Sequence, residues 1–128
     1  MKNSIFLLVF LVIWFSNCND TPYMQGNRLY TQHCQNCHMA DGTGLSNLIP
    51  ALTSSKKLGN PSVACILKNG LRDTIWSDTT FLVKEMPSFK HLSATEVANI
   101  VNYIHYKWYK DFDEFTIIDI QEALDNCN

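Results

Sequence analysis

The sequence predicts an all-α domain that follows an export leader. Three observations lead to this prediction: a long helix with one apolar face near the C-terminus, a helical stretch that carries two thiols and an imidazole, and a short apolar N-terminal segment. Removal of residues 1–17 leaves 111 residues, enough for one domain that encloses a cofactor. The five residues of the apolar face are Val97, Ile100, Val101, Ile104 and Trp108.

The leader, residues 1–17, has the composition of a signal peptide. Lys2 precedes eleven consecutive apolar residues, Ile5 to Phe15. A membrane-spanning helix needs roughly 20 such residues, whereas the apolar region of a secretory signal is shorter. We therefore expect the protein to be exported.

Cys18 stands where the leader should be cleaved, in Phe15-Ser16-Asn17-Cys18. This segment resembles the lipobox of bacterial lipoproteins, in which the cysteine is acylated and becomes the new N-terminus. Phe15 and Asn17 depart from the usual aliphatic and small residues, which leaves an ordinary cleaved signal as the alternative. With a lipid on Cys18, residues 18–24 would tether the domain to the periplasmic side of a bacterial membrane.

The stretch Cys34-Gln35-Asn36-Cys37-His38 carries the chemistry. On one helical turn, its two sulfurs and its imidazole lie on the same side. C-x-x-C-H is the pattern of covalent haem c attachment, in which each thiol bonds a vinyl group and the histidine binds iron. A redox thiol pair or half of a zinc site also uses C-x-x-C. However, the chain has no second C-x-x-C, no pair of histidines at ligand spacing and no βαβ pattern.

The middle of the chain predicts a loop, a helix and a hairpin. Gly42 and Gly44 indicate the loop, and a helix is predicted from Asn60-Pro61 to Gly70. Thr74–Trp76 and Thr80–Val83 predict a small β-hairpin, although the turn between them lacks glycine.

Met86 is the candidate for a second iron ligand. A thioether is a soft, neutral ligand that suits ferrous iron, and Met86 lies 48 residues after His38, far enough for the chain to reach the opposite haem face. Met39 follows His38 directly and cannot reach that face. Most methionines are core residues, so His91 and His105 remain alternative ligands.

The last helix begins with a capping box at Ser93–Glu96. Residues 25–110 contain nine Lys or Arg against five Asp or Glu, while residues 111–128 contain six acidic residues and no basic one. Asp119 is the predicted cap of a short helix in this acidic extension. The formal net charge of −2 is too small to favour a nucleic-acid partner.

Cys65 and Cys127 leave two interpretations open. In an oxidising compartment they could form a disulfide that joins the acidic extension to the middle helix. Alternatively, Cys65 is a buried thiol and Cys127 a free one, since two sequence positions do not establish a distance.

Taken together, residues 25–110 resemble a class I c-type cytochrome domain. The motifs that carry the resemblance occur in the family's order and spacing, and they are Cys34–His38, Gly42-x-Gly44, Pro50-x-Leu52, Met86-Pro87-x-Phe89 and the last helix. The resemblance implies a cytochrome c fold, with three to five helices wrapped round one haem c. It implies thioether bonds to Cys34 and Cys37, axial ligation by His38 and Met86, and a hydrogen bond from His38 to the Pro50 carbonyl. The hairpin resembles a bacterial subgroup found beside dehydrogenases or terminal reductases.

An iron with two axial protein ligands has no open position, which favours one-electron transfer over catalysis. We expect a carrier without enzymatic activity or small-molecule substrate, serving membrane-bound respiratory complexes. One alternative is a dedicated haem subunit of a larger dehydrogenase or terminal reductase. Another is peroxidase or ligand-sensing chemistry, which requires Met86 to leave. Six basic residues form either a solvated surface or a docking face, and they are Lys56, Lys57, Lys68, Arg72, Lys84 and Lys90.

Overall fold

The computed structural model describes residues 22–46, 48–77, 80–109 and 111–127, and at 75–77 and 80–82 it describes the backbone alone. The expected signal peptide and Cys18 therefore lie outside the described residues. Over the described ranges the chain is mostly helical with one small sheet, as predicted. The elements are α1 (Met24–His33), α2 (Gln35–His38), a 3-10 turn (Lys56–Gly59), α3 (Val63–Asn69), β1 (Leu71–Ser77), β2 (Thr80–Met86), α4 (Ala94–Trp108) and α5 (Ile117–Asp125).

Helices α1 and α4 cross at Gly26. A Cβ atom at this buried position would clash with the backbone carbonyl of Asn99 and with the side chain of Tyr103. One turn later, the ring of Tyr30 packs on Tyr103 with 5.6 Å between ring centroids. The Tyr30 hydroxyl also donates to the Met39 carbonyl at 2.6 Å, which links the crossing to the residue after His38.

Helix α4 is the centre of the core. Its capping box is present, since the Ser93 side chain accepts from the Glu96 N–H while the Glu96 carboxylate accepts from the Ser93 N–H. Four residues of the predicted apolar face are at most 4% exposed, and they are Val97, Ile100, Val101 and Ile104. The helical periodicity in the sequence therefore identified the buried face correctly.

Helix α3 begins at Val63, later than the predicted start at Asn60. The Asn60 side chain accepts from the Ser62 N–H at 2.8 Å and forms a turn ahead of the helix, not its cap. The helix ends at Asn69 and is followed by the C-cap Gly70, which has φ +76° and at which a Cβ atom would clash with the Met86 carbonyl.

The predicted hairpin is confirmed, and it is longer than expected. Strands β1 and β2 are antiparallel, with Leu71 opposite Met86 at the open end and Ser77 opposite Thr80 at the turn. The strands pair as far as Leu71, which lies just after the end of α3. The hairpin therefore brings Met86 back to the C-terminal end of that helix.

The short helix in the acidic extension is α5, and its cap is Thr116. The Thr116 hydroxyl accepts from the Asp119 N–H, and the Asp119 carboxylate accepts from the Thr116 N–H. The prediction that Asp119 is the cap was wrong, because the helix already begins at Ile117, so that Asp119 lies inside its first turn. Asp119 is instead the third residue of the helix.

The acidic extension packs on α3 and α4. The sequence alone did not predict which elements it contacts. Ile120 is fully buried, and the Asn102 amide both donates to and accepts from the backbone of Phe115, at 2.9 and 3.0 Å. Cys65 and Cys127 are bonded to each other in the structure, with 5.4 Å between their Cα atoms. Among the described residues, no helix is both long and apolar enough to cross a bilayer.

Candidate haem site

A cleft lies between α2, α3 and the open end of the hairpin. It consists of an outer cavity of about 450 Å³ and an inner cavity of about 420 Å³. Both volumes fall in the range of roughly 300–1,000 Å³ that is usual for ligand sites. The cavities adjoin because they share six lining residues, Cys34, His38, Pro50, Lys57, Leu71 and Met86.

The two thiols predicted to hold haem both line the outer cavity. Cys34 is buried and Cys37 is exposed, and neither is in a disulfide. Burial, with a smaller contribution from Cys37, raises the pKa of the Cys34 thiol to about 11. A catalytic thiol-disulfide pair needs a lowered thiol pKa, so this environment argues against the redox-pair alternative.

His38 lies at the end of α2 and is oriented by the loop that follows. Its Nδ1 lies 3.2 Å from the Pro50 carbonyl oxygen, and because that oxygen only accepts, Nδ1 is the donor. Burial lowers the pKa of His38, while the bond to Pro50 partly opposes this change. The ring is therefore neutral near pH 7, and the lone pair of Nε2 is available for a metal.

Met86 reaches the cleft from a different element, at the end of β2. Its partly buried side chain lines both cavities. Two residues beyond Pro87, the Phe89 N–H donates to the Leu67 carbonyl at 2.8 Å, which fastens this loop to α3. The structure thus brings together all five residues that the sequence proposed for haem binding, namely Cys34, Cys37, His38, Pro50 and Met86.

The family of the chain follows from comparison with known proteins. Residues 21–104 match the family described as "Cytochrome C oxidase, cbb3-type, subunit III", which covers about two-thirds of the chain. The chain belongs to this family. It is thus a c-type cytochrome, and its cofactor is covalently bound haem c with iron, which serves electron transfer.

A curated relative gives a second comparison. The cytochrome is 33% identical over 85 residues to "Alcohol dehydrogenase (quinone), cytochrome c subunit" of Gluconobacter oxydans (strain 621H). The match covers 60% of this chain but only 17% of the relative. The chain thus corresponds to a small part of that protein.

The lining of the cleft fits a haem. Most of the inner wall is aliphatic, which suits the flat face of a porphyrin, and the polar atoms that converge on the cleft include two thiols, an imidazole and a thioether. The aliphatic residues of the inner wall are Leu52, Leu58, Val63, Ile66, Leu67, Leu71, Val101 and Ile104. Ile49 and Phe89 line the outer cavity.

The two alternative histidine ligands contact residues that line the cleft but are not part of its lining. His105 is 3% exposed, and its Nε2 donates to the Leu58 carbonyl at 2.7 Å. His91 is exposed and lies against the rings of His33 and Phe89. Neither histidine lines either cavity.

Some residues that shape the site were missed by the sequence analysis. Tyr109 donates its hydroxyl to the carbonyls of Leu52 and Ser55, and it thereby holds the loop that forms part of the inner wall. His33 is partly buried and lines the outer cavity beside Cys34. A tyrosine just past a helix end carries no sequence signal for such a bond, because its partners lie more than 50 residues away.

Proposed function

We propose that this c-type cytochrome is a one-electron carrier whose haem iron would be held by His38 and Met86. The observation that carries the proposal is that these two side chains enter one cleft from different elements, α2 and β2. When bound, haem c supplies an iron that alternates between the ferrous and ferric states. Two protein ligands leave that iron closed to substrates, which favours electron transfer over catalysis.

The residues of the chain set the properties of the site. Cys34 and Cys37 would hold the haem through thioether bonds, and the Pro50 carbonyl keeps the His38 ring in the orientation that exposes Nε2. A thioether from Met86 favours the reduced iron. The aliphatic inner wall excludes water and disfavours the additional ferric charge, so both features raise the reduction potential.

The test uses protein expressed together with a haem c maturation apparatus. We expect a mass increase equal to one haem, pigment that stays with the polypeptide in acid acetone, and a ferric absorption band of methionine ligation. The ferrous protein should not bind carbon monoxide at neutral pH. Pigment that extracts into acid acetone would contradict covalent attachment, and strong carbon monoxide binding would favour the peroxidase or sensing alternative.

Docking of a redox partner is proposed for the surface around Lys56 and Lys57. Both lysines are exposed and line the cleft. On the hairpin, by contrast, Arg72 lies opposite Glu85 and Lys84 opposite Asp73, so these charges offset one another. An acidic partner would therefore be attracted more to these two lysines than to the hairpin.

Charge reversal tests this surface. Lys56→Glu/Lys57→Glu should slow reduction by an acidic redox partner about tenfold at low ionic strength, with the difference lost at high salt. Arg28→Glu, on the exposed face of α1, is the matched control and should leave the rate nearly unchanged. Equal rates for all three proteins would show that the lysines serve only as solvated surface.

Export and lipid anchoring of Cys18 belong to the same proposal. Their support is the sequence of residues 1–18, with its basic start, eleven apolar residues and adjacent cysteine. In a bacterial host, the haem protein should fractionate with membranes and carry acyl chains on Cys18. Cys18→Ser should release it or leave it unprocessed, whereas soluble unacylated wild-type protein would rule out the anchor and leave an ordinary cleaved signal.

A second candidate function is that of a dedicated haem subunit. It is favoured by the printed names of the family and of the relative, both of which describe subunits of larger enzymes. Mild detergent extraction from the native membrane separates the two candidates. A haem protein that elutes alone indicates a carrier, and one that elutes with a dehydrogenase or reductase indicates a subunit.

A further inference from the structure

Helix α3 lies between the haem cleft and the acidic extension. Val63, Ile66 and Leu67 line the inner cavity. Cys65 and Lys68, which are three residues apart and so share a face, point to the extension. Cys65 is bonded to Cys127, and Lys68 Nζ donates to the Leu124 carbonyl at 2.8 Å.

The C-terminal end of α3 supports the Met86 loop. The Phe89 N–H donates to the Leu67 carbonyl, and Gly70 packs directly against the carbonyl of Met86. Leu71, the next residue, pairs with Met86 in the hairpin. Three backbone contacts therefore connect the position of Met86 to that of α3.

A helix of seven residues is too short to be stable by itself. Its position must come from the surfaces that it packs on, which are the core and haem cleft on one side and the extension on the other. A looser α3 would let the Met86 loop move away from the cleft without unfolding of α1 or α4.

We propose that the acidic extension positions Met86, acting through the Cys65–Cys127 bridge and the Lys68–Leu124 hydrogen bond on α3. The extension would thereby keep the Met86 side chain at the cleft, where it could bind the iron. This inference rests on the proposed ligation by Met86, and it makes Cys65, Lys68 and Cys127 positioning residues that do not touch the haem.

The test measures cyanide binding to the ferric, full-length haem protein, because cyanide binds only when the methionine has left the iron. Cys65→Ser/Cys127→Ser should bind cyanide about tenfold more tightly than the wild type, and Lys68→Met about threefold more tightly. The absorption band of methionine ligation should weaken in both variants. Lys68→Met keeps the bridge, so it tests the proposal even if the double variant folds poorly.

Asn102→Ala is the matched control. It removes the two bonds that hold the extension to α4 but leaves both links to α3. It should lower the free energy of unfolding without changing cyanide affinity. Cyanide affinities that follow overall stability in all three variants would show that the extension only stabilises the fold.

The outcomes also separate this inference from the proposed function. If the wild type lacks the methionine band and binds cyanide freely, ligation by Met86 is wrong. If the wild type shows the band and the α3 variants resist cyanide equally well, Met86 is the ligand and the extension does not position it.

Discussion

At the scale of single residues, the haem cleft depends on side chains whose surroundings decide their chemistry. His38 is neutral because it is buried, and the Pro50 carbonyl determines which of its ring nitrogens is free. His105 is also buried, but its surroundings are the aromatic rings of Tyr109, Phe112 and Phe115. The same residue type is therefore a candidate ligand at one position and a core residue at the other.

Replacement of Met86 tests the second ligand. Met86→Leu keeps most of the side-chain volume but removes the sulfur, so the iron should bind carbon monoxide and the reduction potential should fall by on the order of 0.1–0.2 V, part of the roughly 0.8 V that axial ligands span. Potentiometric titration with carbon monoxide difference spectra measures both effects. Met24→Leu, at an exposed position of α1, is the control and should match the wild type. An unchanged potential in Met86→Leu would exclude Met86 as the ligand.

His105 should make stability depend on pH in weakly acidic solution. Burial lowers its pKa below the usual value, and the bond to Leu58 opposes this only partly. The unfolded chain therefore takes up a proton at a higher pH than the folded chain does, so the free energy of unfolding should fall as pH decreases below about 6.5, by at most about 1.4 kcal/mol per pH unit.

Denaturant unfolding between pH 7.5 and 5 measures this dependence. His105→Gln retains a donor for the Leu58 carbonyl but does not titrate, so its stability should change less over this range. The carboxyl groups of Asp41, Glu96 and Asp119 also have lowered pKa values. They affect the free energy of unfolding at lower pH, outside the range of this experiment. Parallel pH curves for variant and wild type would assign the dependence to another group.

At the scale of secondary-structure elements, the α1–α4 crossing determines how closely the two terminal helices of the haem domain approach. Gly26→Ala would place a methyl group against the Asn99 carbonyl, and we expect it to cost about 1–3 kcal/mol of unfolding free energy. Gly59→Ala is the matched control, since a Cβ there meets nothing within 4 Å. Calorimetry measures the midpoint temperature of unfolding for both variants. Equal midpoints for the two variants would contradict a close crossing at Gly26.

At the scale of the whole molecule, the acidic extension closes a long loop. The bridge joins residues 62 positions apart, and loop-closure entropy for that separation corresponds to about 4 kcal/mol. Cys65→Ser/Cys127→Ser should lose roughly this amount in urea unfolding, with the haem attached in both proteins. Alkylation without reductant provides the complementary test, and uptake of two alkyl groups by the wild type would show that the bridge does not form.

The sequence by itself determined the features that depend on neighbouring residues. The spacing of Cys34, Cys37 and His38 follows from one helical turn. The capping box of α4 joins two residues three positions apart, and the buried residues of α4 recur every three or four positions. Such patterns are local, so they can be recognised before any tertiary contact is known. The hairpin was also recognisable, although its length was not.

Only the tertiary structure decided which distant residues meet. The contacts of Lys68 with Leu124, Cys65 with Cys127 and His105 with Leu58 join positions 47 to 62 residues apart. The cap at Thr116 was missed although it is local, because Asp119 has an equally good capping side chain three residues before Glu122. The surface that receives the extension has no sequence pattern, since it forms only when α3 and α4 are already packed around the haem cleft.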